Sequence, residues 1–256
     1  MKLATWNVNS LAVRLPQLLA WLEANPVDAI VLQETKLTDD KFPLAEIEAA
    51  GYAAHWHGQK TYNGVALLSR GGAATEVVKN IPGFADEQAR VITGSVQGVR
   101  VIGGYFPNGQ APDSDKFVYK MAWLDALRGF VQAEMAAHER LVLMGDFNIA
   151  PEDRDVYDPV AWAGQIHCTP EERAQYRALL GLGLVDTFRL FEQPPKSWSW
   201  WDYRNLAFRK NQGLRIDIIL ASAALKERVR ACSIDKLPRK NERPSDHAPV
   251  LVELAD

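Results

Sequence analysis

Oxygen, amide and imidazole side chains recur in this chain directly where apolar runs end. Asn7 closes the run Leu3-Ala4-Thr5-Trp6, and Glu34 follows Ala29-Ile30-Val31-Leu32-Gln33. Tyr105 ends another run, in Gly104-Tyr105-Phe106-Pro107-Asn108, while Asp146 and Asn148 follow Leu141-Val142-Leu143-Met144-Gly145. Asp217 lies within Ile216-Asp217-Ile218-Ile219-Leu220, and Asp246-His247 stand just ahead of the apolar run from Ala248 to Leu254. A scaffold of strands presents functional groups at such ends. Taken one at a time, an Asp after a strand is more often a turn residue, Glu34-Thr35 reads equally as a helix entry, and Asp246-His247 as a turn with a surface imidazole. Asp217 resists that reading, because a carboxylate inside an apolar run is costly to bury without an imidazole or cation beside it.

Together the residue types describe one chemistry. Hard oxygen ligands such as Glu34 and Asp246 suit Mg²⁺ or Mn²⁺, whereas no cluster of Cys and His offers a zinc site. An Asp217–His247 pair would fix the ring and favour the imidazolium. Asp146 and Asn148, two apart on one side of an extended segment, could orient an attacking water, and Tyr105 and Asn7 could donate to a phosphate. That is positioning plus electrostatic stabilisation of phosphoryl chemistry.

The elements that must hold these groups follow from the apolar pattern. Strands are expected at Leu3–Asn7, Ala29–Gln33, Gly64–Ser69, Arg90–Val96, Val99–Phe106, Leu141–Gly145, Arg215–Ser222 and Ala248–Leu254. Continuous apolar runs suit strands covered on both faces. Pro16 suits a first helical position, with Leu18, Leu19 and Leu22 on one face. Phe117, Met121, Leu124, Leu127 and Val131 share the spacing of the longest helix. Thr169-Pro170-Glu171-Glu172 is a capping box whose helix should stop near Gly181 or Gly183. Strands follow one another directly around residues 51 to 106, which breaks strict alternation and favours two packed sheets with helices outside over one doubly wound sheet.

Bulk properties set bounds. The 256 residues carry a net charge of −3, with 47% hydrophobic and 24% charged residues, as in an ordinary globular protein. The acidic balance argues mildly against a nucleic-acid partner, unless carboxylates concentrate in one metal cleft. Cys168 and Cys232 form no zinc spacing and no disulfide framework. The start lacks the apolar core of a signal peptide, and no apolar stretch is long enough to span a membrane. A soluble cytoplasmic protein of a single domain, residues 1–256, is expected, with no obligate protein partner.

Trp6-Asn7-Val8-Asn9, Leu32-Gln33-Glu34-Thr35-Lys36, Gly145-Asp146-Phe147-Asn148-Ile149-Ala150-Pro151, Leu214-Arg215-Ile216-Asp217 and Ser245-Asp246-His247-Ala248-Pro249 closely resemble the signatures of the exonuclease III family of DNA-repair nucleases, in order and along the whole chain. The resemblance implies a four-layer α/β/β/α sandwich of the endonuclease/exonuclease/phosphatase type and a Mg²⁺ or Mn²⁺ cofactor. It implies hydrolysis in duplex DNA at nicks, blocked 3′ ends or abasic sites. It assigns metal binding to Glu34 with Asn7 beside it and Asp246 nearby, phosphate contact to Tyr105, water orientation to Asp146 and Asn148, and the Asp–His pair to Asp217 and His247. Trp200 aligns with an aromatic lining the family's deoxyribose pocket, and Arg90 and Lys116 with basic positions facing DNA phosphate, although each also reads as a solvated surface charge. Trp198 and Trp201 read equally as core. Arg204, Arg209, Lys210 and Arg215 form a locally basic stretch.

Gln165-Ile166-His167-Cys168-Thr169 departs from the family's wording. His167 reads first as a surface loop residue; the alternative is that it narrows the sugar pocket and biases the choice among abasic-site cleavage, 3′-phosphatase and 3′-exonuclease work. His55 and His57, two apart on a strand, read as structural. Rival functions are a phosphatase or phospholipase of the same superfamily acting on inositol phosphates or sphingomyelin, and a non-catalytic DNA-binding module.

Overall fold

A computed structural model describes residues 1–255 of the chain. In chain order its principal elements are β1 (Lys2–Asn7), α1 (Leu11–Ala24), β2 (Ala29–Gln33), α2 (Leu44–Ala49), β3 (Tyr52–His57), β4 (Val65–Arg70), β5 (Thr75–Lys79), β6 (Val91–Val96) and β7 (Val99–Tyr105). They continue with α3 (Asp115–Ala137), β8 (Leu141–Asp146), α4 (Pro170–Gly181), β9 (Leu184–Asp186), β10 (Asp217–Ser222), β11 (Val229–Ile234) and β12 (Val250–Leu254). The strands form two six-stranded mixed sheets, ordered β11-β12-β1-β2-β4-β3 and β5-β6-β7-β8-β10-β9. The β1–β2 and β7–β8 pairs are parallel, with α1 and α3 as their crossovers.

Side chains alternate across each strand, so every central strand feeds two cores. Leu3, Val31, Val65, Leu67, Val101, Val142, Met144 and Ile219 meet between the sheets. Ala4, Trp6, Ile30 and Leu32 face the other way, against Leu18 and Leu22 of α1 and Ile47 of α2. Ile102, Leu141, Leu143, Ile218 and Leu220 likewise pack on Trp123, Leu124 and Leu127 of α3 and on Tyr176 and Leu179 of α4. Three cores separate four layers, which is the expected α/β/β/α sandwich.

The same period of two aims the functional groups. Leu3 and Thr5 continue into Asn7, Val142 and Met144 into Asp146, and Val101 and Gly103 into Tyr105. Asp217 begins the series that continues through Ile219 and Ala221. The polar residue in each series sits at the same end of the gap between the sheets, and the register sets Asp146 opposite both Tyr105 and Asp217. Two glycines let the layers close: a Cβ on Gly103 would lie 2.3 Å from a Val31 methyl of the facing sheet, and one on Gly145 would lie 1.8 Å from the Gly104 carbonyl oxygen.

Two local expectations are revised. Pro16 lies inside α1 rather than at its start, because the amides of Ser10 and Leu11 already bond the carbonyls of Glu34 and Thr35 and begin the helix there. Arg215 leaves the basic stretch: it is buried, with its guanidinium held by Asp155 and Asp186. The capping box stands as read, with Thr169 Oγ1 accepting from Glu172 N and Glu172 accepting from Thr169 N.

Candidate active site

Asn7, at the end of β1, joins the two sheets: its Nδ2 donates to Glu34 Oε1 and to Asp146 Oδ2, each at 2.9 Å. Its Oδ1 accepts from Asn9 N at 3.0 Å, which fixes the amide with nitrogen toward the carboxylates. Asn7 thus tethers two acids rather than offering them an oxygen. Glu34 should point away from the gap by strand alternation, since Gln33 points into it. A left-handed backbone at Glu34 (φ 52°) swings its carboxylate back, and Lys36 repeats the conformation (φ 55°). Strained backbone of this kind is concentrated at functional sites. Lys36 Nζ then sits 2.9 Å from Glu34 Oε2 and also donates to Asn9 Oδ1.

Asp217 and His247 form the pair that the burial argument required. His247 Nδ1 donates to Asp217 Oδ2 at 2.8 Å, and Nε2 lies 3.7 Å from Asp146 Oδ2. Burial acts to lower the affinity of this ring for its second proton, but the Asp217 and Asp146 carboxylates outweigh it and raise the pKa well above the usual range. The ring is therefore an imidazolium at neutral pH. Ser199 Oγ accepts from the amides of Ile216 and Asp217, and Ser245 Oγ donates to Asn7 O and accepts from His247 N, so both partners hang on a buried hydroxyl.

Burial raises the Asp146 carboxyl, with the His247 cation opposing. Its Oδ1 accepts from Asn148 N at 2.9 Å, and Asn148 Nδ2 donates to Phe106 O at 3.0 Å. Burial and then the charge of Glu34 raise Tyr105 well above the phenol range, so its hydroxyl is a neutral donor rather than a nucleophile.

Glu34, Asp146 and His247 offer atoms within 4.8 Å of one another, a grouping able to hold a metal ion. An imidazolium engaged with Asp217 has no lone pair to give, so the oxygen donors carry the fit. The Lys36 ammonium against Glu34 shows that this carboxylate supports a cation, and hard oxygens suit a hard divalent one. Asp246 stands outside that group; its carboxylate accepts from Asn9 Nδ2 and Trp200 Nε1, each at 2.9 Å.

A sequence profile of the endonuclease/exonuclease/phosphatase family matches residues 4–247. The chain belongs to that family. It is 37% identical to exodeoxyribonuclease III of Haemophilus influenzae, over 99% of this chain and 100% of that one. Among solved structures, the 3′ phosphatase NExo of Neisseria bound to a product DNA hairpin superposes with a TM-score of 0.98 at 49% identity, covering both chains fully. An AP endonuclease of Archaeoglobus fulgidus gives 0.94 at 35% identity over 99% of each chain.

In this family member the remaining residues expected at the site sort into two kinds. Trp200 is half-buried and belongs to the wall formed with Leu214 and Ile216, while Trp198 and Trp201 are core. Lys116 is exposed in the first turn of α3. Arg90 is not a free surface charge: it is buried, donates to Gln88 Oε1 and Tyr105 O, and stacks over the Tyr105 ring at 4.9 Å. It orients Tyr105. His167 is likewise no surface residue. It is 6% exposed at φ 74°, and its ring lies between Trp162 and Trp200, at 6.2 and 6.4 Å. Burial, and then Lys120, lower its pKa to about 4. The Asn148 carbonyl 2.7 Å from Nδ1 can only accept, so Nδ1 carries the proton and Nε2 is bare.

Asn9, Lys36 and Ser245 join the cluster without having been singled out in the sequence. Asn9 and Lys36 lie inside the motif blocks, but only the fold reveals that they bridge Glu34 to Asp246.

Proposed function

We propose that this chain, acting as one domain, is a divalent-metal-dependent DNA-repair phosphodiesterase that processes 3′ ends of duplex DNA. The convergence of Glu34, Asp146, Asn148, Tyr105 and the Asp217–His247 pair on one cleft supports this reading. Mg²⁺ or Mn²⁺ held by Glu34, beside Asp146, would supply Lewis-acid stabilisation of charge on the phosphate. Asp146 and Asn148 orient the attacking water, and Asp146, with its raised proton affinity, takes the proton as the water oxygen bonds to phosphorus. The Tyr105 hydroxyl and the His247 imidazolium donate to phosphate oxygens that gain charge as the bond to the 3′ oxygen breaks. Asn7 holds the two acids in register, and Trp200 bounds the sugar.

His167 supports a preference among lesions. A neutral ring packed between Trp162 and Trp200 takes room beside the sugar wall. An abasic deoxyribose inside a continuous strand must enter whole, whereas a terminal 3′-phosphate needs less space. The relatives named as a 3′ phosphatase and as exodeoxyribonuclease III agree with 3′-end work.

The test is a side-by-side assay in Mg²⁺ on three matched duplexes: an internal abasic site, a nick with a 3′-phosphate and a nick with a 3′-hydroxyl. The wild type should process the 3′-phosphate end faster than the abasic site and lose its activity on all three duplexes in chelator. His167→Ala should shift the ratio toward abasic incision by roughly 10-fold or more, as opening a pocket by a ring does. An unchanged ratio in the folded variant would sink the lesion preference. Turnover of sphingomyelin or inositol phosphates with no DNA cleavage would sink the nuclease reading.

A further inference from the structure

Behind the cleft lies a buried ion pair that the chemistry above does not use. Lys120 of α3 and Glu172 of α4 are both fully buried and paired with each other. The remaining protons of the Lys120 ammonium go to two carbonyl oxygens, Asn148 O at 2.8 Å and Asn108 O at 3.1 Å. Glu172 Oε1 also accepts from His167 N at 3.1 Å, and Oε2 from Thr169 N and Oγ1 at 3.0 and 2.9 Å. Every contact beyond the pair itself lands on the loops that carry Asn108, Asn148 and His167 or on the cap of α4.

A buried pair of this kind is poor evidence of stability. Removing two charges from water is expensive, and an apolar pair of similar volume often stabilises a core as well or better. Its location is the informative feature. The Asn148 carbonyl accepts from Lys120 Nζ on one side and from His167 Nδ1 on the other, so one oxygen ties the His167 ring and the Asn148 loop to Lys120. Asn148 and His167 each hold a left-handed backbone, at φ 49° and 74°, which a free loop would relax.

We infer that Lys120 is a positioning residue for the reaction: through the Asn148 carbonyl and through Glu172 it holds the Asn148 amide over the water site and the His167 ring in the sugar wall. This rests on the reading of the cleft as a phosphodiesterase centre. The ammonium never meets substrate.

The test compares wild type, the double variant Lys120→Met/Glu172→Gln, Asn148→Ala, and the triple combination, on the 3′-phosphate duplex in Mg²⁺. The double variant removes both charges together and leaves no orphaned ion. Its kcat should fall roughly 10–100-fold, the range for residues that orient a catalytic group, with the Kd for DNA within about twofold of wild type. In the Asn148→Ala background the same pair of substitutions should cost less than about threefold, because the group they position is already gone. A pair that merely supported the fold would instead multiply its loss in both backgrounds. Multiplying losses, or a kcat within about threefold of wild type in a folded double variant, would overturn the assignment. Should that double variant fail to fold, Lys120→Gln/Glu172→Gln carries the same comparison, since it is equally neutral and keeps one hydrogen bond between the two side chains. A wild type inactive on all three duplexes would overturn the function and this role with it. An active wild type with the wrong coupling would overturn only the role of Lys120.

Discussion

His247 and His167 show how burial alone does not decide the charge of an imidazole. Both are buried, but His247 faces Asp217 and Asp146 and is held as a cation, while His167 faces a carbonyl and the Lys120 ammonium and is held neutral. The first difference predicts catalysis. His247→Ala should slow turnover by roughly 10²–10⁴-fold, the usual range for a positioned acid or base. Asp217→Asn should damage it as well, and the double variant should lose far less than the product of the two, as a unit does. Single-turnover rates with parallel melting curves decide it; independent, multiplying losses would break the partnership. The second difference predicts stability. The unfolded chain protonates His167 near pH 6.5 and the native chain only near about 4, so the unfolded state binds more protons between those values. Native stability should therefore fall as pH drops from about 6.5 to 4, by about 3 kcal/mol from this residue, and be unaffected by it above that window. Urea unfolding of wild type and His167→Asn across pH 4 to 7 measures the difference, and parallel slopes for the two proteins would contradict it.

Strand interiors were legible in the sequence and sheet edges were not, for a physical reason. β1, β2, β4, β6, β7, β8, β10 and β12 are covered on both faces or nearly so and therefore appear as continuous apolar runs. β3, β5, β9 and β11 are the four edges. Only β3 showed itself, through the alternation of His55 and His57, while β5 and β11 are half-exposed and bulged and β9 has three residues. The site was legible wherever a polar residue ended an apolar run. Its misreading came from burial that only packing of distant loops creates: His167 sits in an irregular segment with no pattern to reveal an inward side chain. The glycines at the strand ends belong to this scale too. Gly104 and Gly145 are register partners in the parallel β7–β8 pair, so their backbones meet one residue from Tyr105 and Asp146. Gly145→Ala should destabilise the protein by about 3 kcal/mol or more, because a backbone oxygen cannot yield as a side chain can. Denaturant unfolding reads this directly, and a loss below about 1 kcal/mol would show that the two strands can part without cost.

The whole molecule carries three more negative charges than positive, an awkward total for a protein proposed to grip a polyanion. Five of its 29 Lys and Arg side chains, Arg90 among them, are buried. Arg215 is spent on Asp155 and Asp186, Arg100 on Glu134, Lys120 on Glu172, and Arg239 lies under Trp201, Tyr203 and Phe208. The exposed cations that the sequence offers to DNA are few, Lys116, Arg204, Arg209 and Lys210, and the site's own carboxylates repel phosphate until a divalent ion is bound. Affinity for DNA should accordingly depend on few phosphate contacts and strongly on the metal. Binding to a nicked duplex, measured with Ca²⁺ in place of Mg²⁺, should weaken with salt along a slope of about −3 in log K against log concentration, as three to four neutralised phosphates give. Lys116→Ala should reduce that slope by about one and weaken all duplex sequences alike, since a phosphate contact reads no bases. A slope near zero would remove DNA as the partner. An unchanged slope for Lys116→Ala would leave the DNA assignment standing and assign the phosphate contacts to the stretch Arg204–Lys210 instead.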